Sequence, residues 1–501
     1  MGHLVGGLMR KPGLTLPTIK TGNNRVVNEE GQPLSPMSRL FHKPDSNVYI
    51  IAILAPKCLI DPQHVKANMG DMVHAHPRFS CLQVVDEEKG GSAGMKWVKT
   101  EVNFEDHVVV PKIDPTTIGC HKKYLEDYMY NLSKTTVDMS KPLWDVHILN
   151  GLNTSEASKA VVIIRIHHSM GDGMSLMSVL LTFSRKATDE NAMPDMLAPA
   201  KKSSTTTKPL TGRVISFFRI AWNTFVDVLM FFATLLYLSD VKTPLKGPPD
   251  VGYNPKRMVL RTFQLHDVKM VSRATKTTVN DVLMGMMESA LSRYLSRKQV
   301  ISSGGGGQER DRPESIKLKA VVFFNIRLLS GVHPIKEMVE EGSLAKWGNK
   351  IGYALYPFDA MMRCNPLEYV FRAKAVMDRK KASLESQFTY FFCSILLKII
   401  GVKALGFPTS PTFFFSSLMG PREEISLFGY PIDYVASTCY GAPTALLVHV
   451  TSYADKLTFA LSVDEDTIPH PHLLCEDLDE TLTLFKQALH ATPPQNTSET
   501  H

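Results

Sequence analysis

Arg165-Ile166-His167-His168-Ser169-Met170-Gly171-Asp172-Gly173 is the stretch on which the reading of this chain turns. The β-branched run ahead of it, Ala160-Val161-Val162-Ile163-Ile164, predicts a buried strand. Gly171-Asp172-Gly173 then predicts a sharp turn. Two imidazoles therefore stand at the mouth of a core strand, with a carboxylate just beyond them. Side chains alternate along a strand, so Ile164, Ile166 and His168 share one face while Arg165 and His167 share the other. That sets His168 on an apolar wall, an environment suited to a general base.

A bare His-x-x-x-Asp is a weak signal. The full His-His-x-x-x-Asp-Gly, at a strand end and ahead of the helical run Met174 to Phe183, is a strong one. The plain alternative makes His168 a hydrogen-bonded core histidine and Gly171 to Gly173 only a turn. A metal site from His167, His168 and Asp172 is disfavoured, because adjacent strand residues point apart and no Cys or His cluster supplies further ligands. Neither Ser169 nor Ser175 is framed as Gly-x-Ser-x-Gly, so a hydrolase elbow has no support.

The 501 residues leave room for two or three packed domains. Hydrophobic content of 44% and charged content of 21% fit a globular protein rather than a disordered or polytopic one. A net charge of +7 could assist binding to an anionic membrane surface or a phosphate-bearing substrate, but it is too small to argue for nucleic acid. The seven cysteines are odd in number, scattered and never CxxC, which predicts reduced thiols in a cytosolic compartment. Residues 1–33 and 491–501 read as polar tails. The first lacks a signal peptide's apolar core, and Gly6 stands where a myristoylation signal wants Ser or Thr.

Between the tails the pattern is α/β in two regions. In residues 34–190, strands are expected at Val48 to Ala55, Cys81 to Val85, Lys96 to Phe104 and Val146 to Leu149, beside the motif strand. A helix is expected at Tyr124 to Leu132. Residues 191–213 form a low-complexity linker. The second region, 255–490, has a helix opening at Asn280-Asp281, a strand at Leu318 to Ile326, late strands around 444–453 and 457–463, and a closing helix near Glu476 to Leu489. Gly304 to Gly307 lack a following Lys-Ser/Thr and read as a connection, not a phosphate loop.

The segment 214–238 is long enough for a bilayer span, but Arg219, Asn223 and Asp227 interrupt it. Its uncharged part, Val228 to Leu238, is about half of the ~20 residues a span needs. A second apolar run, Phe388 to Phe407, carries Lys398 and Lys403. A lone span would put the two α/β regions on opposite sides of a membrane. A site shared between them requires one compartment, so an interfacial or re-entrant amphipathic helix is the favoured reading. A true span and a buried core helix are the alternatives.

With these features in place, the chain resembles the plant wax ester synthase/diacylglycerol acyltransferase family over nearly its whole length. Beside the HHxxxDG motif, the matching stretches are Leu34-Ser-Pro-Met-Ser-Arg39, Pro142-Leu-Trp144, Asn280-Asp281, Asn325-Ile-Arg327, Gly348-Asn-Lys-Ile-Gly352 and Gly420-Pro421. Ser416-Ser417 departs from an expected Ser-Asn, which weakens a substrate contact at Ser417. The Asp-Phe-Gly-Trp-Gly motif of the plant alcohol acyltransferases is absent.

The resemblance implies two chloramphenicol acetyltransferase-like α/β domains with an active-site channel between them. It implies transfer of a long-chain acyl group from acyl-CoA to a fatty alcohol or diacylglycerol. His168 would be the general base, Asp172 would organise the loop through an arginine, and Asn280 would donate to the oxyanion. Asp281, Gly173 and His167 join Asn280 in the implied substrate-binding set, although alternation alone makes His167 structural. Acyl-CoA is a co-substrate, and no metal, cofactor or covalent acyl-enzyme is required. Lipid acceptors imply a membrane surface, expected to be the cytosolic face of the endoplasmic reticulum or else the plasma membrane. Two other readings stand beside this one: a non-catalytic lipid-binding member, and a soluble acyltransferase with a phenolic or amine acceptor.

Overall fold

The run ahead of the paired histidines forms strand β7 (Ala160–His167; strands are numbered along the chain), buried throughout except at Ile164. This computed structural model describes residues 31–85, 94–114, 116, 118–195, 210–236, 243–302, 316–329, 331–340, 343, 346–399 and 411–491. Most of both expected tails, most of the 191–213 linker and the Gly304 to Gly307 run lie outside the described residues.

β7 sits inside a seven-stranded sheet. The order is β5 (Val108–Val109), β6 (Trp144–Asn150), β7, β2 (Tyr49–Pro56), β14 (Tyr430–Tyr440), β13 (Ile425–Leu427) and β8 (Ser184–Lys186). Both neighbours of β7 are antiparallel, with Trp144 opposite Ile166 and Tyr49 opposite His167. The second sheet has six strands: β11 (Ile351–Ala360), β10 (Ile316–Asn325), β12 (Phe413–Met419), β15 (Leu446–Tyr453), β16 (Lys456–Val463) and β9 (Arg257–Gln264). A small sheet of β1 (Gln32–Pro33), β4 (Met95–Lys99) and β3 (Cys81–Val85) completes the set. The strand expected to run to Phe104 ends at Lys99, and Phe104 opens a short 3-10 turn instead.

A linear boundary at residue 255 does not describe these sheets. β13 and β14 belong to the C-terminal region in sequence but complete the N-terminal sheet, with Ile51 opposite Thr438. The chain then turns at Gly441, whose φ of 84° suits glycine, and enters the second sheet as β15. Each sheet has its own apolar core. A third cluster, with Phe41, Ile50, Val321, Tyr353 and Phe414, joins the two halves.

The expected apolar segment lies, as far as residue 236, in one continuous helix, Leu210–Leu236, of 27 residues, about 40 Å long at 1.5 Å per residue; 237 and 238 lie outside the described residues. The buried-core alternative does not hold, because only 11% of its most apolar stretch is buried. Two of its polar interruptions are docking points. Asp227 turns inward to Arg379 at 2.7 Å and Lys380 at 2.9 Å, and Lys380 also holds Glu385 at 2.6 Å. The Asn223 amide donates to the Ala382 carbonyl at 3.0 Å. The second apolar run, as far as residue 399, lies in the neighbouring helix Glu385–Ile399, and 400–407 fall outside the described residues. Phe391, Ile395 and Ile399 on that helix are exposed, as are Phe217, Trp222 and Phe225 on the first.

Candidate active site

A cavity of about 240 Å³ lies between the two large sheets. The first sheet contributes Ile164, Ile166 and His168 from the β7 end, and the second contributes Phe414, Ser416, Leu418, Leu447 and His449. Alternation along β7 places His168 as the sequence required, on the apolar wall and away from His167.

His168 is tightly positioned. Phe41 stacks on its ring, centroids 4.2 Å apart, and its backbone N–H donates to the Val48 carbonyl at 2.9 Å. The Asn349 amide nitrogen donates to the His168 carbonyl at 2.8 Å, which turns Asn349 Oδ1 toward His168 Nδ1 at 3.1 Å. With Oδ1 as acceptor, Nδ1 must carry the proton, and Nε2 keeps its lone pair. Burial pushes the imidazole below its ordinary value, partly opposed by the Asp172 charge and the Asn349 hydrogen bond. At neutral pH the ring is therefore a free base.

Asp172 is the N-cap of the helix Gly173–Phe183 and accepts from the Ser175 N–H at 3.0 Å. Arg327, following β10, grips the same carboxylate with both terminal nitrogens, at 2.9 and 3.0 Å. The Lys350 N–H adds a further bond at 3.0 Å. Burial alone would raise this carboxyl's pKa, but the charge and hydrogen bonds of Arg327 hold it below 3.8. Arg327 also donates to the Gly348 carbonyl at 2.8 Å, so one guanidinium ties the motif loop to the segment bearing Asn349. Gly173 lines the cavity, where an added Cβ would sit 3.5 Å from Leu418.

The other residues of the implied set lie elsewhere. His167 is fully buried, bonded to the Phe41 carbonyl, Asn47 and Ser169, and forms no part of the cavity wall. Asn280 is exposed and accepts from Ser417 at 3.1 Å. Along β12, Phe414, Ser416 and Leu418 face the cavity, so Ser417, and Asn280 with it, falls on the other side. Asp281 caps its own helix: its carboxylate accepts from the Thr278 N–H at 2.8 Å while its own N–H donates to the Thr278 hydroxyl at 3.2 Å. Asn280 and Asp281 are therefore not brought to His168.

Asn349 and His449 were not picked out from sequence. Asn349 lies within a stretch that carries the family resemblance, and His449 is a lone polar ring in an apolar strand. Among the described residues, no group of His, Cys, Asp and Glu could hold a metal ion.

The family model described as the wax ester synthase/diacylglycerol acyltransferase catalytic domain matches residues 59–283, and that of the WS/DGAT C-terminal domain matches residues 347–486. Wax ester synthase/diacylglycerol acyltransferase 11 of Arabidopsis thaliana is 40% identical, over 92% of this chain and 96% of its own. Wax ester synthase/diacylglycerol acyltransferase 4 of the same plant is 38% identical, over 92% and 91%. Among solved structures, the wax ester synthase/diacylglycerol acyltransferase from Marinobacter aquaeolei aligns with a TM-score of 0.55 at 16% identity, covering 93% of this chain and 97% of that one. A starter condensation domain of a rhizomide synthetase, in complex with C8-CoA, aligns at 0.54 and 12% identity over 91% and 95%. These two structures share the fold, and the plant relatives share far more of the sequence. The chain belongs to the wax ester synthase/diacylglycerol acyltransferase family.

Proposed function

We propose that this protein transfers a long-chain acyl group from acyl-CoA to the hydroxyl of a fatty alcohol or diacylglycerol, with His168 as the general base. The observation that carries the reading is the His168 ring, locked through Nδ1 by Asn349 and set in the wall of an apolar cavity. An alcohol is a poor nucleophile at neutral pH. Nε2 takes its proton as the oxygen attacks the thioester carbonyl. The tetrahedral intermediate collapses, the C–S bond breaks, and the CoA thiolate takes the proton from the imidazolium. No acyl-enzyme forms. Asp172 acts at one remove, by holding the loop.

The lipid side of the reading rests on the exposed helix pair. Phe217 and Trp222 are 67% and 66% exposed, and Ile399 is 76% exposed. Aromatic and aliphatic side chains on a surface of this kind suit insertion into the headgroup region of a bilayer. On its inner side the first helix buries Phe231 beside Tyr353 and Cys393, and the latter two also line the cavity. The apolar surface and the reaction chamber thus share a wall, which supports acceptor delivery from the membrane. The cytosolic face of the endoplasmic reticulum would bring this lipid together with cytosolic acyl-CoA, with both halves of the protein on one side.

The test supplies the purified full chain with palmitoyl-CoA and, separately, hexadecanol and a diacylglycerol, and identifies the ester by mass. Ester from either acceptor in wild type, but not in His168→Ala, supports the proposal. Binding of acyl-CoA without turnover would favour the non-catalytic reading, and turnover confined to phenolic or amine acceptors the soluble one. Liposome flotation of wild type against a Phe217→Asp/Trp222→Asp/Phe225→Asp variant tests the membrane surface, with loss of flotation expected in the variant.

A further inference from the structure

An oxyanion forming in this chamber needs a hydrogen-bond donor, and Asn280 faces the other side of β12. The cavity wall does hold a second imidazole. His449 interrupts the apolar run of β15, stands opposite Ser416 in the β12–β15 register, and lines the same cavity as His168. Its Nδ1 is buried without a hydrogen-bond partner among the described residues, while the residue as a whole keeps a little exposure. The accessible edge is therefore the one that bears Nε2. A buried donor or acceptor left unpaired costs about 1–3 kcal/mol, so Nδ1 bears that cost in either tautomer. The choice falls to Nε2: facing a carbonyl oxygen in the cavity, an N–H there pairs with it whereas a lone pair would be repelled, so a bound thioester selects the Nε2–H form.

We propose that His449 is a catalytic residue whose Nε2–H hydrogen-bonds the thioester carbonyl oxygen and holds it as it becomes the tetrahedral oxyanion. The inference rests on the acyl-transfer reading above. As the acceptor oxygen bonds to the carbonyl carbon, its proton passes to His168 Nε2 and the C=O π electrons move onto the oxygen. His449 keeps its own proton throughout. When the C–S bond breaks, that electron pair re-forms the carbonyl and the departing thiolate takes the proton from His168. Burial first, and the neighbouring His168 second, push the His449 imidazole down to about 4, so it stays neutral over the working pH range. A neutral donor of fixed tautomer stabilises the oxyanion without competing for the acceptor's proton.

The experiment compares His449→Phe, His449→Leu, His449→Gln, Ser416→Ala and His168→Ala in the full chain, with melting curves beside turnover. The apolar replacements should lower kcat by on the order of 10²–10³. The KM values for acyl-CoA and alcohol should stay within about threefold, as expected when an interaction is lost only in the transition state. His449→Gln restores an N–H donor and should recover part of the loss. The acid limb of the pH profile, which belongs to His168, should persist in all the His449 variants. Near-normal turnover in folded His449→Phe or His449→Leu, with His168→Ala inactive, overturns this inference alone. So does a glutamine no better than leucine, or a loss found in Ser416→Ala instead. A folded, active His168→Ala removes the general-base reading and this inference with it.

Discussion

Replacing Asp172 by Asn keeps the side chain's shape while removing its charge and one of its two acceptor atoms. The carboxylate accepts four hydrogen bonds: two from Arg327, one from Ser175 and one from Lys350. An Asn side chain has one acceptor atom. If its oxygen keeps Ser175 and one arm of Arg327, its NH₂ must face the other arm and the Lys350 N–H, donor against donor. Asp172 and Arg327 are each 2% exposed at the side chain, so the guanidinium is left as an uncompensated buried charge. Breaking such a pair from one side costs about 3–5 kcal/mol. Arg327→Gln, which strands the carboxylate instead, should cost a similar amount. In a double-mutant cycle the two losses should fall well short of additive. Turnover should fall along with stability, since Lys350 adjoins Asn349 and so fixes His168. Denaturant unfolding and kcat measured on the same preparations decide the matter. Asp172→Asn with normal stability and collapsed turnover would refute the clamp and make Asp172 a proton-relay partner.

Folded His168→Ala should lose on the order of 10²–10⁴ in rate, whereas His167→Ala should act chiefly by lowering the unfolding free energy; the two are separated by turnover beside melting curves. Asn349→Leu frees the wrong His168 tautomer and should cost up to about 10⁴ in kcat, with acyl-CoA binding, followed by calorimetry, retained. Because burial holds His168 below 6.5, the acid limb of kcat/KM should lie beneath that value, and it should move lower still in Asp172→Asn, which removes a charge that favours the imidazolium. Buried His42 and His76, pushed by burial down to about 4 and about 3, are neutral in the folded chain and protonate below 6.5 once it unfolds. Their contribution is full above 6.5 and is lost as pH falls, by about 2 kcal/mol each at pH 5. Unfolding free energies at pH 7.5 and pH 5 check this.

Period and composition carried the local reading. The β-branched run made β7, the two-residue alternation separated His168 from His167, and the glycine turn put Asp172 at a helix start. The apolar helix was also legible, because its length and composition are local properties. What could not be read was anything set by partners distant in sequence. β14 pairs with β2 through contacts that no local pattern announces, so the sheets ignore the boundary at residue 255. Asn280 was chosen for its chemistry, but the face it occupies is fixed by the pleat of β12, a strand not identified from sequence. Asp281 had a local signal that was passed over: Thr278 three residues before an acid, at a helix start. His449 had one as well, a single imidazole in Leu446-Leu447-Val448-His449-Val450. Only assembly of the second sheet turns it toward the cavity.

The strand crossover also constrains how the molecule comes into being on the ribosome. β2 is made early, yet the neighbour it needs on one side, β14, is among the last strands synthesised. Until then the nascent chain carries β7 and its histidines beside an open, apolar sheet edge, the kind of surface that seeks a strand from any other chain. Folding dominated by such distant pairings is slow and exposed to aggregation. A fragment ending before β13 should therefore be insoluble rather than a free-standing half-enzyme. A premature stop anywhere before Tyr440 should remove the N-terminal half's fold along with the C-terminal one.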